Sequence, residues 1–233
     1  MPTRKKLRMT KNPRNLQSAI RETAWKQIAE SGAATLSLRA IGRELGITAP
    51  AIYNYYPRRD DLVTSLIIEA YTSFGDALTG ARDAVPDNDL IGRLRAIGLA
   101  YRRWAHTHPQ RYQLIFGTPV PGYQPPMEKV LPFGARALSA MASIVERLRA
   151  DGRLRTESLP EVQDEYKAHF ELWKKYGGDM DILSLSVAVL IWAHVHGIVS
   201  LEIAGYLPPF GAEGDGLYRY ELDVLYRQFI KEP

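Results

Sequence analysis

Leu36-Ser37-Leu38-Arg39-Ala40-Ile41-Gly42-Arg43-Glu44-Leu45-Gly46-Ile47-Thr48-Ala49-Pro50-Ala51-Ile52-Tyr53-Asn54-Tyr55-Tyr56-Pro57 is the stretch on which the fold reading turns. Ser37 is a residue type that caps the free N–H groups of a helix start. Leu38, Ile41 and Leu45 then fall on one helical face at i, i+3 and i+7. Gly46 supplies a left-handed turn at the end of that helix. Thr48 is placed to cap a second short helix, and Pro50 is tolerated in its first turn, where amide hydrogens lack intrahelical partners anyway. Pro57 cannot extend the ladder, so the second helix is predicted to end near Tyr56. Two short helices around a glycine turn make a helix-turn-helix.

The second helix has one clear core anchor, Ile52. Small residues at its start let its backbone approach a groove floor: Ala49 or Ala51 can meet a thymine methyl, and Thr48 a base edge or a phosphate. Tyr53 and Tyr55 can donate to phosphate oxygens, and Arg39, Arg43 and Arg59 add positive charge nearby. The tyrosines are predicted to split, with Tyr56 buried and Tyr53 and Tyr55 facing out. The three-residue spacing of Tyr53 and Tyr56, which puts them on partly shared faces, weighs against that split.

Working outward, a preceding helix is predicted from about residue 15 to Ser31, with Leu16, Ile20, Ala24 and Ile28 on one face and Gly32 as its stop. A long helix follows from about Arg59 to Thr79, with Asp60 and Asp61 at its positive end. Residues 80–88 read as a linker. Further helices are predicted near 89–106, 109–116, 126–150, 160–176, 181–205 and 215–231, with loops at 117–126 and 205–216. The fold class is all-α: a three-helix head with a larger helical bundle for dimerisation and ligand binding. The division is a basic arm over 1–14, a head over 15–58, a connecting helix over 59–79 and a body over 80–233.

Charge is distributed unevenly. Residues 1–60 hold 12 Lys or Arg against 4 Asp or Glu, whereas residues 61–233 hold 18 against 22. A basic head on a mildly acidic body points to a polyanion partner for the head alone. Arg4, Lys5, Lys6 and Arg8 either reach DNA as an arm or lie in solvent as a tail. The absence of cysteine excludes disulfides and thiolate sites and fits a reducing cytoplasm, and the polar N-terminus shows no secretory signal. The apolar run 182–204 raises a membrane span as an alternative, but Ser184, Ser186, His194, His196, Ser200 and Glu202 interrupt it. It is read as a helix buried between protein surfaces.

The quoted stretch resembles the DNA-binding signature of the tetracycline-repressor (TetR) family, and Arg58-Arg59-Asp60-Asp61-Leu62 is similar to that family's start of its connecting helix. The resemblance covers about residues 14–65. It implies phosphate contacts from Ser37 and Arg39, a groove-facing set of Thr48, Ala49, Pro50 and Ala51, and backbone contacts from Tyr53, Tyr55 and Arg59. Tyr55 stands where the family often has His, and Arg59 where it often has Lys. In the body, residues 111–123 and 192–202 resemble a subgroup with a WHG-type C-terminal domain, which implies effector binding and dimerisation. The function implied is a ligand-responsive regulator, a repressor released from operator DNA by a small molecule.

The residues agree on a homodimer, because the helix near 181–205 is apolar nearly all round and that near 160–176 carries Phe170, Leu172 and Trp173; the alternative is one larger monomeric core that buries them. Trp104, His108, Tyr112, Phe116 and Tyr123 are the candidate ligand residues, and they suit a partly apolar effector. Each has an alternative as ordinary core. The histidine pairs His106/His108 and His194/His196 are spaced i, i+2, on different helix faces, so no metal site is expected, and no cofactor. No G-x-S-x-G, H-E-x-x-H or Walker-type loop supports an enzyme, which remains the alternative reading beside an architectural DNA-binding protein without effector control.

Overall fold

The computed structural model describes residues 13–157, 159–207 and 215–231. These form ten α-helices, one 3-10 turn and a single isolated antiparallel bridge between Leu154 and Ile230. The chain is all-α, as expected. Residues 1–12 of the expected arm, and 208–214 of the expected loop, lie outside the described residues.

Helix α1 (Pro13–Ser31) buries Ile20, Ala24 and Ile28 along one stripe, and Leu16 packs on the same cluster. A 3-10 turn at Ala33–Thr35, absent from the sequence reading, leads to α2 (Leu38–Leu45). Ser37 caps α2: its hydroxyl accepts from the Ala40 N–H at 3.3 Å. Gly46 ends it with φ +65°, a left-handed conformation that costs any side chain roughly 1–2 kcal/mol. Helix α3 (Ala49–Tyr53) stops three residues short of the predicted Tyr56. The Tyr55 and Tyr56 N–H groups both turn to the Ile52 carbonyl at 3.0 Å, so the ladder closes on one acceptor before Pro57.

Helix α4 (Arg59–Asp83) runs four residues beyond the predicted Thr79. Gly80 is exposed with no atom near its Cβ position, so it is carried inside the helix, and the break comes only at residues 84–89. There follow α5 (Leu90–Thr107), α6 (Pro109–Phe116), α7 (Met127–Ala150), α8 (Asp164–Gly177), α9 (Ile182–Ile203) and α10 (Asp215–Phe229). The predicted 160–176 helix therefore begins at Asp164, after Pro160.

Helix α4 spans two apolar clusters. Its first half places Leu62, Val63 and Leu66 against Ile20, Ile41, Ile52 and Tyr56 of the head. Its second half places Phe74 and Leu78 against α5, α7 and α9. Helices α4 and α7 cross closely at Gly75, where a Cβ would stand 3.4 Å from the Ala137 Cα. Burying such rows at about 25 cal/mol per Å² is what holds a connecting helix rigid between two clusters.

Candidate nucleic-acid interface and body cavity

Ile52 is fully buried and anchors α3 in the head. Thr48 and Pro50 are exposed, Ala51 is half-buried, and the Ala49 side chain lies outside the described residues. Tyr53 is 38% exposed and Tyr56 4%. Tyr55 is intermediate and packs on the head cluster, so the three tyrosines grade from outside to inside. The expected Thr48 cap is corrected. Thr48 holds the capping position, but its hydroxyl makes no capping bond. Pro50 has no N–H to offer, and the Ala51 N–H goes to the Thr48 carbonyl at 3.0 Å.

Arg39 and Arg43 are exposed and form no hydrogen bond or ion pair among the described residues, which leaves their donors open to a polyanion. Arg59 is placed differently. Its Nε donates to the Leu36 carbonyl at 3.1 Å, and one terminal nitrogen donates to the Ala33 and Ala34 carbonyls at 3.0 and 3.1 Å. The guanidinium thus ties the start of α4 to the 3-10 turn ahead of α2 and faces inward. Arg58 opens α4 with its N–H donating to the Asp61 carboxylate at 3.0 Å; the Arg58 side chain holds that carboxyl below its usual range.

Four of the five predicted ligand residues gather in the body. Trp104 is buried, its indole N–H donates to Ser73 Oγ at 3.0 Å, and its ring lies 4.9 Å from Phe74 and 5.7 Å from His108. Tyr112 and Phe116 stand 5.2 Å apart. Tyr123 does not join them. Its loop folds toward the head, where its hydroxyl meets Thr64 Oγ1 at 2.9 Å, and it packs on the head cluster.

At the centre of this region lies a residue that the sequence reading weighed as a metal ligand and as a polar break in an apolar run, not as one of the candidate ligand residues. His196 Nδ1 is 2.9 Å from the Tyr101 hydroxyl and 3.0 Å from that of Tyr112, and Nε2 is 3.3 Å from Ser200 Oγ. Ser200 and Tyr112 are themselves 2.7 Å apart. In the neutral imidazole one ring nitrogen accepts and the other donates, and the hydroxyls of Tyr101, Tyr112 and Ser200 suit either tautomer. Burial agrees, since it lowers the His196 pKa and raises those of Tyr101 and Tyr112. Trp192, His196 and Ser200 recur every four residues on α9, and that spacing was the available signal.

Beside this network is a narrow cavity of ≈ 30 Å³, walled among others by Leu78, Tyr101, Met141, Trp192, Leu222 and Tyr226. None of the five predicted ligand residues lines it. Trp104 and His108 instead border a separate open groove with Ala77, Ala81 and Leu99. A third cluster joins head to body. Glu69 of α4 accepts from the Trp25 indole at 3.0 Å, from Arg111 of α6 at 2.8 Å and from Arg21 of α1 at 3.0 Å. Arg111 also lies 5.1 Å over the Trp25 ring.

The outer side of α9 is apolar and open: Val189, Leu190 and Leu201 are 41–43% exposed. Exposed Tyr220 and Val224 lie on α10, which packs against α9. Helix α9 is long and apolar enough to cross a membrane by length and composition. Its inner side, from Ser184 to Val199, is buried in the body.

A helix-turn-helix with an open, cationic reading face, joined by one long helix to an apolar-cored helical body, defines a DNA-binding transcriptional regulator. Residues 20–66 match the bacterial regulatory proteins of the tetR family, and residues 94–225 match the tetracyclin repressor-like C-terminal domain. The chain belongs to the TetR family of transcriptional regulators. It is 33% identical over 190 residues to the HTH-type transcriptional regulator Rv1816 of Mycobacterium tuberculosis, covering 82% of this chain and 81% of that one. The HTH-type regulator Mb1846 of Mycobacterium bovis matches to the same extent. Among solved structures, the regulatory protein SCO4313 aligns with a TM-score of 0.73 at 33% identity, over 93% of this chain and 98% of that one. A Rhodococcus sp. RHA1 protein of unknown function shares the fold, with a TM-score of 0.71 at 20% identity over 98% and 100% of the two chains. The C-terminal match is to the tetracyclin repressor-like domain, and the WHG-type subgroup has no part in the assignment.

Proposed function

We propose that the chain is a homodimeric, effector-responsive repressor that acts on operator DNA in the cytoplasm and catalyses no reaction. The observation that carries this reading is the reading face itself: Thr48, Pro50 and Tyr53 stand open at and along α3, and Arg39 and Arg43 of α2 are exposed with no ion pair among the described residues. Thr48, Ala49, Pro50 and Ala51 meet the major-groove floor, and Ser37, Arg39, Tyr53 and Tyr55 hold phosphates. Arg59 acts by positioning α2 through the carbonyls of Ala33, Ala34 and Leu36. The arm over residues 1–14 adds phosphate or minor-groove contacts.

The body, from residue 80 onward, dimerises through the open stripe of α9 together with the outer side of α10. Covering that stripe explains an apolar helix better than a bilayer does, since its other side is already buried against protein. Two heads must then sit about 34–36 Å apart to enter successive major grooves. An effector that binds better in a different head spacing lowers DNA affinity by no more than its differential affinity for the two states.

Selection from a random duplex library at fixed salt, followed by footprinting, tests this. The expected product is a two-fold symmetric site bound by a dimer. A chain that stays single in solution and ignores duplex DNA at low ionic strength overturns the reading. Weak, sequence-indifferent binding favours the architectural alternative.

A further inference from the structure

The outer surface of the body gathers positive charge at one place without balancing it. A groove of ≈ 310 Å³ runs between the start of α5, the end of α10 and the bridged segments at Leu154 and Ile230. Arg95, Arg155, Arg227 and Lys231 line it, against a single acid in the wall, Asp223. Asp223 pairs with Arg95, and Glu157 pairs with Lys231 at 2.7 Å. Arg155 engages only its Nε, which donates to the Ile230 carbonyl at 3.0 Å. Arg227 is exposed and forms no hydrogen bond or ion pair among the described residues. Two guanidinium charges are therefore left over one open space, in a part of the chain whose charge balance is acidic.

The C-terminal end of α10 favours Arg227 and Lys231, but Arg95 and Arg155 come from other elements, so the helix dipole does not account for the group. The backbone beneath it is fixed. The Arg155 N–H donates to the Phe229 carbonyl and the Lys231 N–H to the Arg153 carbonyl, each at 2.8 Å, so the two segments stand at a set separation. The Arg95 guanidinium lies 5.5 Å over the Tyr226 ring.

We propose that this groove binds a small organic dianion of the phosphate-monoester class, with its phosphate between Arg155 and Arg227 and its apolar part on Ile91 and Ile230. Two unbalanced cations match two negative charges. Guanidinium forks pair with phosphate oxygens bidentately, which favours phosphate over a point anion. Ile91 and Ile230 supply an apolar side, and the volume suits a small molecule. The groove is separate from the apolar body cavity, with which its wall shares only Tyr226. It is also remote from the reading face, since Ile91 and Arg95 stand on the first turns of α5, beyond the end of α4 opposite the head. Helical spacing aligns Arg227 with Tyr220 and Val224, so the groove opens beside the surface proposed for dimerisation, and the assembled full chain is the species to titrate. The proposal does not depend on the regulatory reading, because binding is measured without DNA.

Calorimetric titration at low, fixed ionic strength tests it, using phenyl phosphate, its near-isostere phenyl sulfate, and inorganic phosphate. Near neutral pH the phosphate ester carries close to two charges and the sulfate ester one. Phenyl phosphate is expected to bind about tenfold tighter than phenyl sulfate at about pH 7.5. That preference should vanish at about pH 5, where the phosphate ester holds one charge and the arginines keep theirs. Inorganic phosphate, which has no ring to place on Ile91 and Ile230, should bind several-fold more weakly than phenyl phosphate. Arg227→Gln and Arg155→Gln should each lower phenyl phosphate affinity about fivefold. If Arg155→Gln, which also loses its tie to Ile230, fails to fold, Arg227→Gln carries the test. Absence of saturable binding, equal affinity for the two esters near neutral pH, or an affinity unchanged in Arg227→Gln would overturn the proposal. Binding seen in Glu232→Gln but not in the wild-type chain would assign the free charge to the chain's own Glu232 and overturn it as well.

Discussion

Replacing Arg59 separates two roles that the same residue type can play. A phosphate clamp contributes to the salt dependence of DNA binding, and its loss lowers the log–log slope by about 0.9. A structural clamp contributes to folding. Arg59 donates three hydrogen bonds to carbonyls at 3.0–3.1 Å, across 23 to 26 residues of chain. A hydrogen bond from a charged donor is worth about 1.5–3 kcal/mol when fully desolvated. Here the side chain is 28% exposed and Ala34 is open to solvent, so water recovers much of each bond. The net loss for Arg59→Ala is therefore about 2 kcal/mol, a fall in Tm of roughly 4–8 °C for a chain of this size. Arg59→Lys should fall almost as far, because an ammonium cannot reproduce the planar fork. Both variants should keep the wild-type slope of duplex affinity against KCl. Arg39→Ala should do the reverse, with Tm unchanged and the slope lower by about 0.9. Thermal denaturation beside a salt series on one duplex reads both quantities. A slope that drops by about one in Arg59→Ala refutes the reasoning, whatever happens to Tm.

Tyr53→Phe removes an exposed hydroxyl and nothing from the core, so duplex affinity should fall roughly three- to tenfold with Tm unchanged; equal affinity removes its phosphate role. Leu190→Glu places a charge on the open stripe of α9 and should shift the chain to monomer in sedimentation, whereas an intact dimer takes α9 out of the interface. Burial lowers the pKa of His196 and of His108, so the unfolded chain takes up these protons first as pH falls. Stability complete at pH 7.5 should decline below about 6.5, and His196→Gln should flatten part of that decline in denaturant titrations at pH 7.5 and 5.5. Glu146, held at about 2 chiefly by Arg149, loses its contribution only as pH falls from about 4.5 toward 2, below the 5.5–7.5 interval measured.

The head was legible because its signals are local and agree with one another. Ser37 and Gly46 mark the ends of α2, Ile41 and Ile52 mark its core, and Pro57 marks its exit, all within 22 residues of sequence. What escaped depends on distant groups. The Arg59 charge looked free because its acceptors are main-chain carbonyls of a 3-10 turn with no compositional mark. Thr48 looked like a cap until Pro50 and the Thr48 carbonyl removed the amide hydrogens it would have met. Tyr123 looked like a neighbour of Tyr112 from its place in sequence, but the intervening loop carries it to Thr64. The His194/His196 pair was weighed for metal ligation, at a spacing that fails, and as a break in the apolar run, but not as part of a polar network. The informative spacing was Trp192, His196, Ser200, which turns three polar atoms to one side of an otherwise apolar helix.

Helix α6 shows why a ligand in the body would be felt in the head. Consecutive residues Arg111 and Tyr112 reach in different directions. Tyr112 bonds to His196 and Ser200 on α9, next to the wall of the cavity, and Arg111 bonds to Glu69 on α4 and covers Trp25 on α1. Eight residues of helix cannot bend appreciably between neighbouring positions, so a displacement of α9 that moves Tyr112 also moves Arg111. Glu69 has no slack to take that movement up, because both its oxygens are engaged, by Trp25 and Arg111 on one and Arg21 on the other. Two of those three partners lie on α1, the helix whose apolar stripe fixes α2 and hence the pose of the reading face. A shift of a few tenths of an ångström beside the cavity therefore has a continuous path to the surface proposed to contact DNA, through the Glu69 carboxylate of α4 and through Arg111 over Trp25.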